Sequence, residues 1–190
     1  MGFKKLETKF LGRKIIYHKK IDSTQSEIFR LIEKGKIKNG TVVIADIQTN
    51  GKGTHGRTWR TDEKNNIAFS FYINTDCDIK DLEGLTTEIA KIIVDIFKTK
   101  YKIKVNIKKP NDLIINNKKV GGILTQTKTL NEKVKYIVIG IGINTNKENF
   151  TDDIKNIATS IKNEFGIEVD REEFITEFCN QFEKEILGVR

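Results

Sequence analysis

The sequence is 190 residues long, with 37% hydrophobic and 32% charged residues, a balance typical of a soluble globular protein. No apolar run is long enough to cross a bilayer and the start of the chain lacks the apolar stretch of a signal peptide, so we expect a cytoplasmic protein without membrane contact. The net charge of +8 attracts anions such as nucleotides, nucleic acid or acidic proteins, although a lysine-rich surface alone explains it as well. We expect residues 1–190 to form a single domain.

The first half of the chain predicts two strands around a helix, then a loop and a third strand. In chain order these are a strand over 14–18, a helix capped by Ser23 or Thr24 and ended by Gly35, a β-branched strand over 41–47, a polar loop with glycines over 48–66 and a strand over 67–73. The helix presents Ile28, Leu31 and Ile32 on one face, and we expect that face to be buried.

The second half predicts a long helix, a group of strands and two final helices. In chain order these are an amphipathic helix over 82–100, a strand over 103–107, a turn at KKPND, a hairpin over 113–127, an apolar strand over 134–143 and helices over 151–165 and 171–187. Asn116 and Asn117 suit the positive φ angles of a tight hairpin turn. Consecutive strands with short turns indicate an α+β fold, with helices packed on a mixed, largely antiparallel sheet.

The segment QTNGKGTHGRTW, residues 48–59, is the most informative stretch for function. Its three glycines allow close approach of the backbone to a ligand, its N–H groups suit an anion, and Lys52 and Arg57 add positive charge. The spacing also resembles a dinucleotide fingerprint, a kinase glycine loop and a Walker A loop. No apolar helix follows the last glycine and no other kinase motif is present, so a phosphate-binding loop that starts no helix is favoured. The alternative is a mobile surface loop.

Two further stretches place glycines inside predicted strands. Gly121 and Gly122 weaken a strand unless a ligand lies close to the backbone or the hairpin contains a bulge there. Gly140 and Gly142 precede Asn144 at the end of the most apolar strand. Close packing of a helix on that strand is the alternative to a ligand site.

Taken together, these segments resemble the biotin–protein ligase family. The family motifs are a Ser-Thr-Asn segment, a GRGRxGRxW loop, a KWPND segment followed by KxGGIL, and a GxGIN strand end; here they read IDSTQ, GKGTHGRTW, KKPNDLIINNKKVGGIL and GIGIN, in the family's order. The resemblance implies a fold akin to the class II aminoacyl-tRNA synthetase core. It also implies a ligase that forms biotinyl-5′-AMP from biotin and ATP with Mg²⁺, releases pyrophosphate, and passes biotin to a lysine of a biotin carboxyl carrier protein.

The resemblance assigns roles residue by residue. Biotin is expected to contact Ser23, Thr24, Gln25, Gln48, Gly51, Gly53, Lys119, Gly121 and Gly122. The nucleotide is expected to contact Lys52, Thr54, His55, Arg57, Trp59, Asn111, Asp112 and Asn144. Lys119 and Arg57 are the expected catalytic residues, and no metal ligand from the protein is assigned. The alternatives are an exposed turn for Lys119, core packing for Trp59, and turn formation for Asn111 and Asp112.

The sequence also departs from the family pattern. Gln25 replaces the usual asparagine, Lys52 and Thr54 replace arginines, and Lys109 replaces the usual tryptophan. Neither an N-terminal helix-turn-helix segment nor a C-terminal SH3-like domain is recognised, so we expect no DNA binding. A lipoate–protein ligase and a non-catalytic module that binds biotin or biotinyl-AMP remain alternatives. Both a monomer and a homodimer are compatible with the sequence.

Overall fold

A computed structural model describes residues 3–61, 64 and 66–188 of the chain. The helices and strands are β1 (Ile15–Ile21), α1 (Thr24–Glu33), β2 (Val42–Lys52), β3 (Thr58–Thr61), β4 (Ile67–Asp78), α2 (Leu85–Lys100), β5 (Asn106–Lys108), β6 (Asp112–Ile115), β7 (Lys118–Leu130), β8 (Lys133–Ile143), α3 (Ile161–Phe165) and α4 (Arg171–Glu185). None of the helices in the described ranges is long and apolar enough to span a membrane.

The strands within the described residues form one sheet, in the order β1-β2-β4-β8-β7-β6-β5, and β3 pairs with the end of β2. Strands β1 and β2 are parallel and the other pairings are antiparallel. The β6–β7 turn has Asn116 and Asn117 at φ 48° and 63°, as predicted from their tolerance of positive φ. The structure therefore confirms the prediction of an α+β fold with a mixed, largely antiparallel sheet.

The two faces of the sheet are covered differently. Because side chains alternate along a strand, Ile139 and Ile141 of β8 point to one face and Gly140 and Gly142 to the other. The isoleucine face, with phenylalanines of β4, packs against α2 and α4 in the main core, where the rings of Phe69 and Phe178 lie 5.5 Å apart. The glycine face carries α1 over only part of its area, around Ile28, Val43 and Val138. The rest of that face is left for a ligand.

A polar cluster around the buried Asp46 fixes the start of α4 to the edge of the sheet. Arg171 donates to the Asp46 carboxylate at 2.7 Å, and the Tyr17 hydroxyl donates to the other oxygen of that carboxylate. Burial by itself would raise the pKa of Asp46, but the hydrogen bonds from Tyr17 and Arg171 and the charge of Arg171 outweigh it and lower that pKa. The cluster ties β1, β2 and α4 together.

Two predicted elements are wrong. The segment predicted as a loop over 48–66 instead extends β2 to Lys52 and returns as β3, a hairpin held by backbone pairing that no apolar alternation signals. The helix predicted over 151–165 is a series of turns as far as residue 157, and only α3 is helical. Its backbone is used elsewhere, because the Ile157 carbonyl accepts from the Lys119 N–H and the Thr159 N–H donates to the Lys119 carbonyl. Helix α1 also buries Ile28 fully but leaves Leu31 and Ile32 only partly covered.

Candidate active site

A cavity of about 430 Å³ opens on the glycine face of the sheet, beside the N-terminus of α1. Its floor includes two rungs of the sheet on this face, Ser70–Gly140–Leu124 and the pair Gly142–Gly122. Three of these five residues are glycine and Ser70 is also small, so the strand backbone itself is within reach of a ligand. The same strands present isoleucine and phenylalanine to the main core. In β8 the alternating glycines thus line the cavity, while the isoleucines between them pack in the main core.

One end of the cavity is polar and uncharged. Ser23 caps α1, and the Thr24 N–H and hydroxyl donate to Gln48 Oε1 at 2.8 and 3.1 Å. The Thr24 and Ser70 hydroxyl oxygens lie 2.8 Å apart, and Gln48 Nε2 donates to Thr61. Because Ser23, Thr24 and Ser70 are all buried, these groups are held in place before any ligand arrives. This end suits a neutral ring with hydrogen-bonding groups.

The glycine-rich segment is a β-hairpin that ends in a three-residue turn. Gly51 pairs with Trp59, and a Cβ on Gly51 would lie 2.3 Å from the Trp59 carbonyl oxygen, so only glycine allows this pairing. The turn places His55 at φ 55° and Gly56 at φ 73°. The Gly53 N–H donates to the Arg57 carbonyl at 2.7 Å. The hairpin therefore accounts for glycine at positions 51, 53 and 56. The sequence suggested that the N–H groups of this segment bind an anion, but the Gly53 N–H is already bonded within the hairpin.

The hairpin lays the indole of Trp59 over the floor of the cavity. A Cβ on Gly142 would lie 2.4 Å from Cε2 and Nε1 of Trp59, and one on Gly122 would lie 3.7 Å from its Cζ3. The Lys119 ammonium lies 5.8 Å from the centre of the indole and donates to Asp112 at 2.6 Å. Backbone bonds to Ile157 and Thr159 fix Lys119 on both sides. Lys119 is thus held between a carboxylate and an aromatic face, with its amine directed at the cavity.

The cavity is strongly cationic. Among the described residues that line it, five carry positive charge and none is an aspartate or glutamate. The five are Lys52, Arg57, Arg60, Lys119 and Lys147. Arg57 is braced by its own turn, since its side chain donates to the carbonyl and hydroxyl oxygens of Thr54. An excess of cations around one cavity favours an anionic ligand.

The wall that follows β8 is held by one buried asparagine. Asn66 Oδ1 accepts hydrogen bonds from the N–H groups of Thr145, Asn146 and Lys147 at 3.0, 3.0 and 3.1 Å. Beyond this anchor, Phe150, Ile154 and Ile157 line the cavity. Arg60 of β3 reaches the same wall, pairing with Asp153 at 2.9 Å. The wall and the hairpin thus approach each other across the mouth of the cavity.

The structure brings most of the predicted site residues together. Those that line the cavity are Ser23, Thr24, Gln25, Gln48, Lys52, Gly53, Thr54, Arg57, Trp59, Asn111, Lys119, Gly122 and Asn144.

Four predicted contacts do not line the cavity. Gly51 lies beneath the backbone of Trp59, and His55 is exposed at the tip of the turn. Gly121 faces the core, where a Cβ would lie 3.0 Å from Leu113. Asp112 accepts a hydrogen bond from the Lys119 amine at 2.6 Å. The ligand contacts expected for these four residues stay predictions.

Sequence reasoning missed other residues of the site. Ser70 and Arg60 fall in no motif, and Phe150, Ile154 and Ile157 lie in or beside the segment predicted to be a helix. Period-two alternation across the predicted strands would have placed Ser70 on the face of Gly140 and Gly142.

Comparisons with known proteins agree with this geometry. Residues 17–144 match the biotin/lipoate A/B protein ligase family. The chain is 36% identical over 181 residues to the bifunctional ligase/repressor BirA of Bacillus subtilis (strain 168), covering 94% of this chain and 55% of that protein. It therefore spans about half the length of the curated relatives it matches.

Solved structures show the same fold. A biotin protein ligase from Aquifex aeolicus in complex with biotin and ATP has a TM-score of 0.72 at 28% identity, covering 91% of this chain and 73% of that one. A point mutant of the Aquifex aeolicus ligase in complex with biotin has a TM-score of 0.75 at 28% identity, covering 92% and 70%.

Proposed function

The chain belongs to the biotin/lipoate A/B protein ligase family, and we propose that it is a biotin–protein ligase. The carboxylate of biotin attacks the α-phosphorus of ATP, the bond to pyrophosphate breaks, and biotinyl-5′-AMP forms. The amine of an acceptor lysine then attacks the acyl carbon of this mixed anhydride, and AMP leaves. We further propose that residues 1–190 act as one catalytic domain in the cytoplasm, and that the acceptor is a biotin carboxyl carrier protein.

The division of the cavity into a neutral polar end and a cationic end is the observation that carries the proposal. Gly140 marks the polar end and Gly142 the end beneath Trp59 and Lys119, and two residues along a strand span about 7 Å. Biotin has a neutral bicyclic urea at one end and a carboxylate at the other. Its ring matches the polar end, and its carboxylate then lies near the Lys119 ammonium.

The cations have separate roles in this proposal. Both reactants are anions, so their approach needs fixed positive charge at the point of attack. Lys119 neutralises the biotin carboxylate and the α-phosphate as the new bond forms, and Asp112 holds its amine in position. Arg57 and Lys52 on the hairpin bind the departing pyrophosphate. Trp59 packs beside the reacting groups and excludes water from the mixed anhydride.

The opposite wall is proposed to hold the nucleotide. Asn144 lies at the end of β8, and its side chain donates to the Thr159 carbonyl at 3.2 Å, which leaves its own carbonyl oxygen directed elsewhere. Asn111 donates to the Ile123 carbonyl at 3.1 Å and is buried beside Thr54 of the hairpin. The apolar side chain of Ile154 offers a surface for a planar base. We propose that the adenosine lies between this wall and Trp59.

Magnesium is proposed to enter with ATP. The described residues contain no group of three or more His, Cys, Asp or Glu side chains placed to hold a metal ion. That composition fits an ion bound mainly by phosphate oxygens, with Asp112 as the nearby carboxylate. When bound, magnesium would offset part of the triphosphate charge.

The test is exchange of labelled pyrophosphate into ATP, which reports adenylation without an acceptor protein. We expect exchange that requires biotin and is not supported by lipoate. It should fall by more than about a hundredfold in Lys119→Met, the loss typical of removing a group that stabilises the transition state. Lys118→Met, the neighbouring lysine outside the cavity, is the matched control and should exchange at the wild-type rate.

The other outcomes separate the alternatives. Exchange driven by lipoate would identify a lipoate–protein ligase. Biotin binding without exchange would identify a non-catalytic binding module. An absence of both biotin binding and exchange would overturn the proposal.

A further inference from the structure

The backbone of Lys119 is held by a segment that lies outside the regular strands. Strand β8 ends at Ile143, before it reaches the level of Lys119. Residues 157–159 take its place there, because the Lys119 N–H donates to the Ile157 carbonyl at 2.8 Å and the Thr159 N–H donates to the Lys119 carbonyl at 2.9 Å. This pairing is an isolated parallel bridge. The position of Lys119 therefore depends on what holds the segment in place.

The carboxylate of Glu164 joins that segment to the turn that leads into Lys119. The Thr159 hydroxyl donates to one carboxylate oxygen and the side-chain amide of Asn116 donates to the other, each at 2.6 Å. Asn116 is the first residue of the β6–β7 turn, three positions before Lys119. Glu164 lies on α3, which begins after the Ser160 cap. One side chain thus closes a ring around the backbone of the lysine.

The parts of this ring are themselves well anchored. Thr159 is 3% exposed, and its carbonyl accepts from the Asn144 side chain at 3.2 Å. Ile161 of α3 is buried in the main core, which fixes the helix that carries Glu164. Hydrogen bonds to a carboxylate are roughly twice as strong as those between neutral groups, and they gain further where water is excluded. Glu164 therefore connects the core to the lysine through two strong bonds.

We propose that Glu164 is a positioning residue for adenylation, which keeps the Lys119 amine at the point where the acid carboxylate meets the α-phosphate. This inference rests on the proposed function and deepens it, because it names a group away from the reacting atoms on which the rate depends. Without the carboxylate, the turn and the segment 157–159 are free to separate, and the amine moves with the backbone. A displacement of about 1 Å can cost about a hundredfold in rate. The two backbone bonds of Lys119 remain and limit the movement.

The two hydrogen bonds, not the negative charge, carry this role. Glutamine at position 164 keeps both bonds, because its carbonyl accepts from Asn116 and its amide donates to the Thr159 hydroxyl, which accepts as well as donates. Methionine has a similar length and keeps neither bond. Comparison of Glu164→Gln with Glu164→Met therefore separates the bonds of the ring from the charge and the bulk of the side chain.

The experiment measures pyrophosphate exchange over a range of biotin concentrations, which separates the maximal rate from the KM for biotin. The variants are wild type, Glu164→Met and Glu164→Gln. Glu168→Met is the matched control, because it removes a carboxylate just after α3 that pairs with Lys162 at 3.0 Å instead. Lys162 keeps a second carboxylate partner in Glu148. Urea unfolding of each variant gives its stability.

We expect Glu164→Met to lower the maximal exchange rate about tenfold and to leave the KM for biotin within about threefold, because the side chains that line the cavity are all retained. Glu164→Gln should exchange within about threefold of wild type, and Glu168→Met should match wild type. Asn116→Gly keeps the positive φ of the turn and removes the amide, so it should lose about as much as Glu164→Met. The double variant should lose little more than either single one. If Glu164→Met folds poorly, Asn116→Gly gives the same test with α3 intact.

A Glu164→Met variant that is less stable to urea but exchanges at the rate of Glu168→Met would overturn the inference, since the carboxylate would then serve stability alone. Equal losses in Glu164→Met and Glu164→Gln would also overturn it, as would fully additive losses from Asn116→Gly and Glu164→Met. In each of these cases, biotin-dependent exchange by wild type still supports the ligase. Wild type without such exchange would overturn the proposed function, and this inference would fall with it.

Discussion

Replacing Gly142 with alanine tests whether the floor of the cavity fixes the tryptophan. The added Cβ would lie 2.4 Å from Cε2 and Nε1 of Trp59, whereas ordinary contact begins at about 3.4 Å, so the indole has to withdraw by about 1 Å. Gly122→Ala is the matched control. It adds the same carbon on the same rung, 3.7 Å from Trp59 and 3.4 Å from Lys119, where there is room for it.

The two substitutions are expected to differ in their effects on stability and on catalysis. Overpacking a site that resists movement costs about 1–3 kcal/mol, and we expect the low end for Gly142→Ala because Trp59 lies on a hairpin that can yield. Catalysis should suffer more than stability, since misplacing a catalytic environment by 1 Å can cost about a hundredfold in rate. Gly122→Ala is a control for the position of the indole alone, because Gly122 also lines the cavity and its added carbon lies in the space of the ligand.

The assay uses the fact that Trp59 is the single tryptophan of the chain. Its emission reports the indole directly, so Gly142→Ala should shift the emission to the red and increase quenching by iodide, while Gly122→Ala should leave both unchanged. Pyrophosphate exchange on the same samples gives the catalytic effect. Identical emission and iodide quenching in the two variants would refute the argument that Gly142 is required by the indole.

Three further predictions concern the contacts of Asp112, Arg171 and Asn66. Asp112→Asn should reduce pyrophosphate exchange by about tenfold by releasing Lys119, and should add little to the loss in Lys119→Met, because the two residues act as a unit. Arg171→Met should lower the free energy of urea unfolding by up to about 3 kcal/mol at pH 7, because the buried Asp46 carboxylate loses its ion-pair partner and keeps only the hydrogen bond from Tyr17. Because the folded pKa of Asp46 is lowered, the stability from this pair is present above about pH 4 and lost as the pH falls further, so the difference from wild type should narrow there; a constant difference down to pH 3 would contradict this. Asn66→Ala should raise the KM for ATP about tenfold by freeing three backbone N–H groups of the nucleotide wall, whereas Asn66→Asp, which keeps the acceptor, should stay within about threefold; equal effects of the two changes would exclude the anchoring role.

The sequence predicted the parts of the fold in which one face is buried. The strand over 134–143 and the helix over 82–100 have clear apolar periods, because each packs against the main core. The hairpin after Gln48 has no such period. It extends beyond the core, and backbone pairing stabilises it, so its sequence shows only the glycines that the pairing requires.

The motifs predicted the site residues that lie on the glycine face of the sheet. They did not predict those on the irregular segment that follows β8. Ile154, Ile157 and Ile161 are spaced as on a helix, which explains the wrong prediction over 151–165. In the structure the first two line the cavity and only Ile161 enters the core. The spacing therefore does not show which surface each residue covers: Ile161 is buried, whereas Ile157 is 64% exposed. Gln25 illustrates the opposite case. Its place beside the cavity follows from the motif, but only the structure shows that its side-chain carbonyl has no hydrogen-bond partner among the described residues.

The glycine floor limits how this binding site can diverge. Gly140 and Gly142 contribute no side-chain atoms to the cavity, so any substitution at either position adds volume and makes the cavity smaller. The isoleucines between them face the core, and replacing them alters stability before it alters the ligand. A variant that accepts a bulkier acid therefore has to gain its space from the walls, at α1, the hairpin or the segment after β8. Engineering of this site toward larger substrates is best directed at those three segments.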